Sequence, residues 1–317
     1  MSDKAERLSF DYRSIRETVC NATAGAAAGV IAGTFVCPLD VIKVRLQVHG
    51  LPLTPISGRQ RGTVIIRSLH NIVKNEGVKG MFRGLSPTII ALLPNWAVYF
   101  SVYGKLRDVL QSNDGKLSIG ANVIASAIAG ASTTIATNPL WVVHTRLVTQ
   151  GMRPNVVPYQ TVLSAFGRIY YEEGLRGLYS GLVPSLMGVS HVAIQFPVYE
   201  MIKQYMADKG NTSVETLSPG NTAVASSISK IIASVMTYPH EVIRSKLQEQ
   251  RQVKNVEGQY SGVVDCIKKV YKREGVPGFY RGCATNLLRT TPQGVITFTS
   301  YEMINRYLRK IALPEKT

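Results

Sequence analysis

Charge is scarce in this 317-residue chain. Asp, Glu, Lys and Arg make up 18% of it, against roughly a quarter in soluble domains. That scarcity argues against the two soluble domains that length alone would allow. Cysteine is scarce as well. Cys20, Cys37, Cys266 and Cys283 show neither CxxC nor metal-ligand spacing, so they read as small thiols on helix faces or in a core, and no metal is expected. The signatures of common enzymes are missing: no GxGxxG after a strand, no P-loop, no HExxH and no GxSxG. The first twenty residues lack the apolar run of a secretory signal. Asp3, Glu6, Asp11 and Glu17 also run against a cleavable transit peptide. An organelle address is therefore expected inside the mature chain.

What is abundant is positive charge and uncharged length. The formal net charge is +16, which in a soluble protein would suggest nucleic acid. The bases, however, do not cluster or alternate with aromatics as a strand-binding surface requires. They lie between long uncharged runs, a distribution that suits a membrane protein facing anionic lipid or an anionic solute, with no nucleic-acid partner.

Residues 18–39, 84–104, 117–143 and 177–199 carry no charge, and residues 217–239 and 282–301 carry one each, Lys230 and Arg289. Each run is near or above the ~20 residues that cross a bilayer as a helix. Six spans are expected, two in each of three units about a hundred residues long. PLDVIKVRL, PLWVVHTRL and PHEVIRSKL begin at Pro38, Pro139 and Pro239, at intervals of 101 and 100 residues. EGVKGMFRG, EGLRGLYSG and EGVPGFYRG begin at Glu76, Glu173 and Glu274, 97 and 101 residues apart. Repetition at a fixed period outweighs any local signal. Ahead of each EG motif lies a short amphipathic stretch, expected as a helix along the membrane surface.

The predicted architecture is thus an all-α membrane protein: six transmembrane helices in three pseudo-symmetric repeats, each with a short surface helix, around a central cavity. Its divisions are an N-terminal extension (1–17), repeats at 18–110, 117–206 and 217–309, and a C-terminal tail (310–317). Gly25, Gly29 and Gly33, four residues apart, predict a close helix–helix approach in lipid. The three prolines predict kinks that draw the ends of the odd helices together.

Two copies of Px[D/E]xx[K/R]x[K/R] followed by EGxxGxx[R/K]G, with a middle copy that has Trp141, His144 and Ser180 at the acid and base positions, resemble the mitochondrial carrier family, and the resemblance covers roughly residues 18–308. Within that family PLW looks like the branch carrying NAD, FAD, folates and pyrimidine nucleotides. The stretches GLSPTIIALLPNWAVYF, NPLWVVHTRL, SHVAIQFPVYEMIK, YPHEVIRSKLQEQ and RGCATNLLRTTP are most similar to its plant NAD+ carriers. The resemblance implies a monomeric antiporter working by alternating access between two gates. It takes small nucleotides as substrates and anionic lipid as surroundings, with NAD+ as cargo rather than cofactor. It would lie in the mitochondrial inner membrane or, alternatively, a plastid envelope or peroxisomal membrane.

The resemblance also implies a matrix-side gate of ion pairs between neighbouring odd helices. Its members here are Asp40 with Lys43, Trp141 with His144, and Glu241 with Arg244. If each acid pairs with the next helix's base, Asp40 meets His144 and Glu241 meets Lys43. Trp141 then faces Arg244, either in a cation–π contact or as a plain interfacial aromatic. Gln47 and Gln248 hold the bracing position nine after the proline, where the middle repeat has Val148. The middle repeat therefore gives up an acid, a fixed base and a brace. His144 is expected to make that corner sensitive to pH, because histidine changes charge in the neutral range. The opposite gate reads Tyr103-Gly104-xx-Arg107, Tyr199-Glu200-xx-Lys203 and Tyr301-Glu302-xx-Asn305. Pairing Arg107 with Glu200 and Lys203 with Glu302 strands no charge.

Ionisable residues in mid-membrane are costly and by default functional. The resemblance implies that Arg289 grips a phosphate or carboxylate, the alternative being an interhelical brace. Lys230 stands where the other repeats have Gly29 and Gly130, and must reach a cavity anion or a carbonyl. Gly188 and Val189 resemble a contact that admits an adenine ring. Asn95 lies at cavity depth with Trp96, which either stacks on a substrate ring or packs in the core. His191 and Gln195, a turn apart, line the cavity or pack.

Overall fold

The computed structural model describes residues 2–50, 61–111, 118–152, 157–210, 217–250 and 260–312. Most of the expected C-terminal tail and the start of the second repeat at residue 117 lie outside the described residues. Among those described, the chain is helical with no strand. Its elements are α1 (Ser2–His49), α2 (Arg61–Glu76), α3 (Leu85–Leu110), α4 (Ile119–Thr149) and α5 (Val162–Leu178). They continue with α6 (Leu182–Met187), α7 (Ser190–Lys209), α8 (Pro219–Glu249), α9 (Val263–Gly278) and α10 (Cys283–Ala312). The residues expected as a separate N-terminal extension continue the first long helix without a break.

Long segments close a ring. In each repeat the proline-bearing helix (α1, α4, α8) meets the repeat's last segment (α3, α6–α7, α10), and that segment meets the next proline-bearing helix, with α10 returning to α1. α2, α5 and α9 are amphipathic and lie outside the ring beside its proline ends. Each repeat builds a small apolar core there, such as Val142, Val143 and Leu147 of α4 against Val162, Ala165 and Ile169 of α5.

Against the six spans expected, three segments among the described residues have the length and apolarity to cross a membrane: Cys20–His49, Val78–Leu110 and Leu182–Lys209. α4, α8 and α10 are as long but carry more Ser, Thr and Asn. Several of their hydroxyls turn back on the helix. Thr133, Thr134, Thr137, Thr237 and Thr290 each donate to the carbonyl four residues earlier, at 2.7–2.8 Å. That bond satisfies the hydroxyl internally.

The close approach of helices falls one residue away from the glycines. A Cβ at Gly25 or Gly33 would meet nothing within 4 Å, and one at Gly29 only a Leu92 methyl at 3.6 Å. Ala24, Ala28 and Ala32 are the buried stripe on α1, at 0–1% exposure. Equivalent positions are Ala125 and Ala129 on α4, and Ala225, Ser229 and Ala233 on α8, all at 0%. The four-residue period marked a small-residue seam correctly, but a helix turns about 100° per residue, so the neighbouring alanines face the partner.

The EGxxG motif has a mechanical meaning. Its first glycine takes positive φ in every repeat: 71° at Gly77, 66° at Gly174 and 64° at Gly275. This left-handed conformation suits glycine alone among ordinary residues. It breaks the surface helix and turns the chain toward the next long segment. The second glycine leaves room for the glutamate, since a Cβ at Gly80, Gly177 or Gly278 would lie 2.5–2.8 Å from that of Glu76, Glu173 or Glu274.

Candidate functional site

A cavity of about 480 Å³ lies inside the ring above its proline end. The prolines themselves lie within continuous helices, and the turns after them supply the cavity floor. Asp40, Lys43 and Gln47 come from α1, Trp141, His144 and Thr145 from α4, and Glu241, Arg244 and Gln248 from α8. Spacings of three and four residues put these side chains on one helix face, and the threefold arrangement turns that face inward three times.

The floor is a ring of three unlike corners. Between α1 and α8, Lys43 Nζ lies 2.7 Å from Glu241 Oε2. Between α1 and α4, His144 Nε2 lies 3.1 Å from Asp40 Oδ2. Between α4 and α8, Arg244 lies over the Trp141 ring at 5.4 Å, and His144 meets the edge of the same ring. Trp141 is half-buried and lines the cavity, which removes the lipid-facing alternative.

Gln47 braces the first corner. Its Nε2 donates to Tyr238 Oη at 2.9 Å and Glu241 Oε2 at 3.4 Å, and its Oε1 accepts from Ser245 Oγ at 2.7 Å. Gln248 accepts from Thr145 Oγ1 at 2.9 Å, but its buried Nε2 finds no acceptor. Val148, in the equivalent place, is fully buried in the apolar core of the first repeat.

A second tier lies beneath this floor, formed by the last base of each motif. Arg45 pairs with Glu76 at 2.6 and 2.9 Å and donates to the Val148 carbonyl at 2.9 Å. Arg146 pairs with Glu173 and donates to the carbonyls of Gln248 and Gln250. Lys246 pairs with Glu274 at 2.8 Å and donates to the Val48 carbonyl at 3.0 Å. Each base thus ties its own surface helix to the end of the next repeat's proline-bearing helix. This tier satisfies carbonyls that helix ends leave without partners. It was missed in the sequence, although both motifs that build it were quoted there.

The four cavity candidates Arg289, Lys230, Gly188 and His191 line this space with the ring. Arg289 hydrogen-bonds to Asp40 across α10 and α1. Lys230 is exposed to the cavity and, among the described residues, touches no carboxylate. Gly188 and Val189 form the break between α6 and α7. A Cβ at Gly188 would lie 3.3 Å from His240 Nε2, so this glycine opens the wall beside a histidine that the sequence did not single out. His191 Nδ1 meets Thr237 Oγ1 at 3.1 Å.

Four candidates stand elsewhere. Val189 packs toward Gly130 of α4, and Asn95, Trp96 and Gln195 are not among the cavity-lining residues. Trp96 is 57% exposed and stacks on Phe100, itself 60% exposed, at 5.5 Å. It sits neither in a core nor on the cavity wall. Helical spacing fixed its depth but not which way it faces.

Among the described residues, the opposite end is not joined by ion pairs between helices. Glu200 and Lys203 lie 4.0 Å apart on one helix, with Lys203 over the Tyr199 ring. Glu302 pairs with Arg306 one turn along α10, and both are mostly exposed. Arg107 makes no ion pair among the described residues. Tyr103 donates instead to Asn122 of α4 at 2.8 Å, and Tyr301 to Asn21 of α1 at 3.5 Å. The two cross-helix pairs expected here are therefore unformed in a structure whose other end is closed.

A threefold helical ring around a polar cavity, tied at one end and untied at the other, is the architecture of a membrane carrier. The chain belongs to the mitochondrial carrier family, whose model, described as mitochondrial carrier protein, matches residues 16–114, 115–210 and 215–312. As a member it is a transporter and not an enzyme.

Among its relatives is the Arabidopsis thaliana protein named nicotinamide adenine dinucleotide transporter 2, mitochondrial. The two are 74% identical over 95% of this chain and 83% of the relative. A second Arabidopsis protein, nicotinamide adenine dinucleotide transporter 1, chloroplastic, is 64% identical over 92% and 93%. Folate transporter 1, chloroplastic, from the same plant, is 36% identical over 92% and 96%.

Proposed function

We propose that this protein is an organellar inner-membrane antiporter that imports NAD+ in exchange for ADP or AMP, by alternating access across six membrane-crossing segments. The observation that carries the reading is the charge of the cavity. Lys43, Lys230, Arg244 and Arg289 line it against two carboxylates, Asp40 and Glu241, an excess of two positive charges that suits an anionic solute such as a dinucleotide. Two of these cations, Lys230 and Arg244, have no carboxylate in contact among the described residues. Unpaired positive charge in a cavity inside a membrane favours an anionic guest. The names of the two relatives above 60% identity support NAD+ as that guest and an organelle membrane as the place.

The sites act in sequence. The solute enters from the untied end and meets Arg289 and Lys230. The pairs Lys43–Glu241 and Asp40–His144 then give way, while Arg107–Glu200 and Lys203–Glu302 form behind it. Strict exchange follows if the empty cavity cannot switch, because its unpaired cations would then be buried without a counter-ion.

Proteoliposomes containing the purified chain and loaded with ADP should take up labelled NAD+, whereas empty vesicles should not. Absence of NAD+ uptake alongside brisk uptake of folate, FAD or a pyrimidine nucleotide would assign the cavity to one of those instead. The folate transporter among the relatives makes folate the first to try. Proton conductance without any counter-solute would mark a leak protein.

A further inference from the structure

The corner without a carboxylate has two donors left over. At the equivalent corner Lys43 Nζ and Gln47 Nε2 both point at one atom, Glu241 Oε2, at 2.7 and 3.4 Å. Arg244 and Gln248 are the same two positions one repeat away, and Trp141 stands where their oxygen would be. Arg244 is left with the indole face. Gln248, only 2% exposed, has given its oxygen to Thr145 and holds its Nε2 without an acceptor. A buried amide nitrogen left unbonded is rare and calls for an explanation. A cation–π contact uses the charge of a guanidinium and occupies none of its N–H groups in a hydrogen bond, so they can bind an oxyanion in bidentate fashion.

We propose that Trp141, Arg244 and Gln248 form an oxyanion subsite, in which a phosphate of the transported nucleotide takes the place that a carboxylate holds at the other two corners. The solute then supplies an acid at the corner that lacks one, before the other two corners give way. The other basic groups near that phosphate are already engaged: Arg289 with Asp40, and Lys43 with Glu241. Lys230 lies fourteen residues from Arg244 on α8, about 21 Å along the helix, too far to share one phosphate with it.

This subsite rests on the nucleotide reading, but its test does not require NAD+. The full chain, purified in detergent, is titrated with inorganic pyrophosphate while its unfolding midpoint is followed. The wild type should be stabilised in a saturable way. Trp141→Glu places a carboxylate in the subsite, so its midpoint without ligand should rise and its affinity for pyrophosphate should fall at least tenfold. Gln248→Leu keeps the packing volume and should weaken binding several-fold, which serves as the test if the glutamate variant does not fold. No stabilisation of the wild type by pyrophosphate would overturn the subsite. So would binding that is lost in Lys230→Ala but unchanged in Trp141→Glu. Pyrophosphate binding sensitive to Trp141→Glu, with no NAD+ exchange in liposomes, would support the subsite and overturn the NAD+ reading.

Discussion

Arg289 of α10 is hydrogen-bonded to Asp40 of α1, 249 residues away in sequence. The cation placed to meet the solute is therefore also a member of the closed floor. In the proposed exchange, a phosphate that draws Arg289 upward leaves Asp40 with the His144 contact at 3.1 Å. On that proposal, solute recognition and release of this corner are one event.

Replacing Arg289 separates the two roles by size. Arg289→Ala should abolish exchange and lower stability by about 1.5–3 kcal/mol, the usual cost of a lost hydrogen bond to a charged group. Arg289→Lys keeps the charge but not the forked geometry. It should retain most of the stability and lose most of the transport. Equal loss of both quantities in the two variants would show that Arg289 only braces the helices.

The two glutamines of the floor should differ in the same assay. Gln47 makes three side-chain hydrogen bonds and Gln248 makes one. At roughly 1 kcal/mol each, Gln47→Leu should lower stability by about 2–3 kcal/mol. Gln248→Leu should lie within about 1 kcal/mol of the wild type, since it also removes an orphaned donor. Unfolding of the unliganded protein in detergent, followed by the fluorescence of a thiol-reactive dye, reads both. An equal cost would mean that Gln248 bonds more widely than the structure shows.

Much of the ring could be read from spacing. The hundred-residue period put Asp40, Trp141 and Glu241 in equivalent places, and the structure brings these positions to one floor. What could not be read was direction around each helix. The glycine period on α1 was visible, yet Ala24, Ala28 and Ala32 carry the contact. Trp96 was placed by spacing along its helix, yet its ring is exposed and does not line the cavity. Partners from different helices, such as Arg289 with Asp40 or Arg146 with the Gln248 carbonyl, have no signature along the chain. Their positions depend on how three separate repeats close on each other.

Gly177 and Gly167 sit ten residues apart on α5 and should respond oppositely to alanine. A Cβ at Gly177 would lie 2.5 Å from that of Glu173, whose carboxylate is fully buried against Arg146. Shifting Glu173 breaks a buried pair, which costs about 3–5 kcal/mol. A Cβ at Gly167 meets nothing within 4 Å, and alanine is favoured over glycine in a helix by about 1 kcal/mol. Gly177→Ala should prevent recovery of folded carrier from membranes, and Gly167→Ala should raise the unfolding temperature. Recovery of stable Gly177→Ala protein would contradict the packing of the EGxxG motif.

The start of α9 offers a test of acid sensitivity outside the membrane-crossing segments. Lys269, one turn along the helix, bonds Asp265 at 2.7 Å, and the Ser261 N–H donates to the same oxygen at 2.9 Å. Both hold the Asp265 carboxyl below its ordinary range. A carboxylate lowered in this way stabilises the fold at pH above its unfolded value, and the contribution is lost as pH falls through the folded one. Amide exchange at residues 261–266 should therefore speed up under acid more steeply than at the rest of α9. Asp265→Asn should remove that difference.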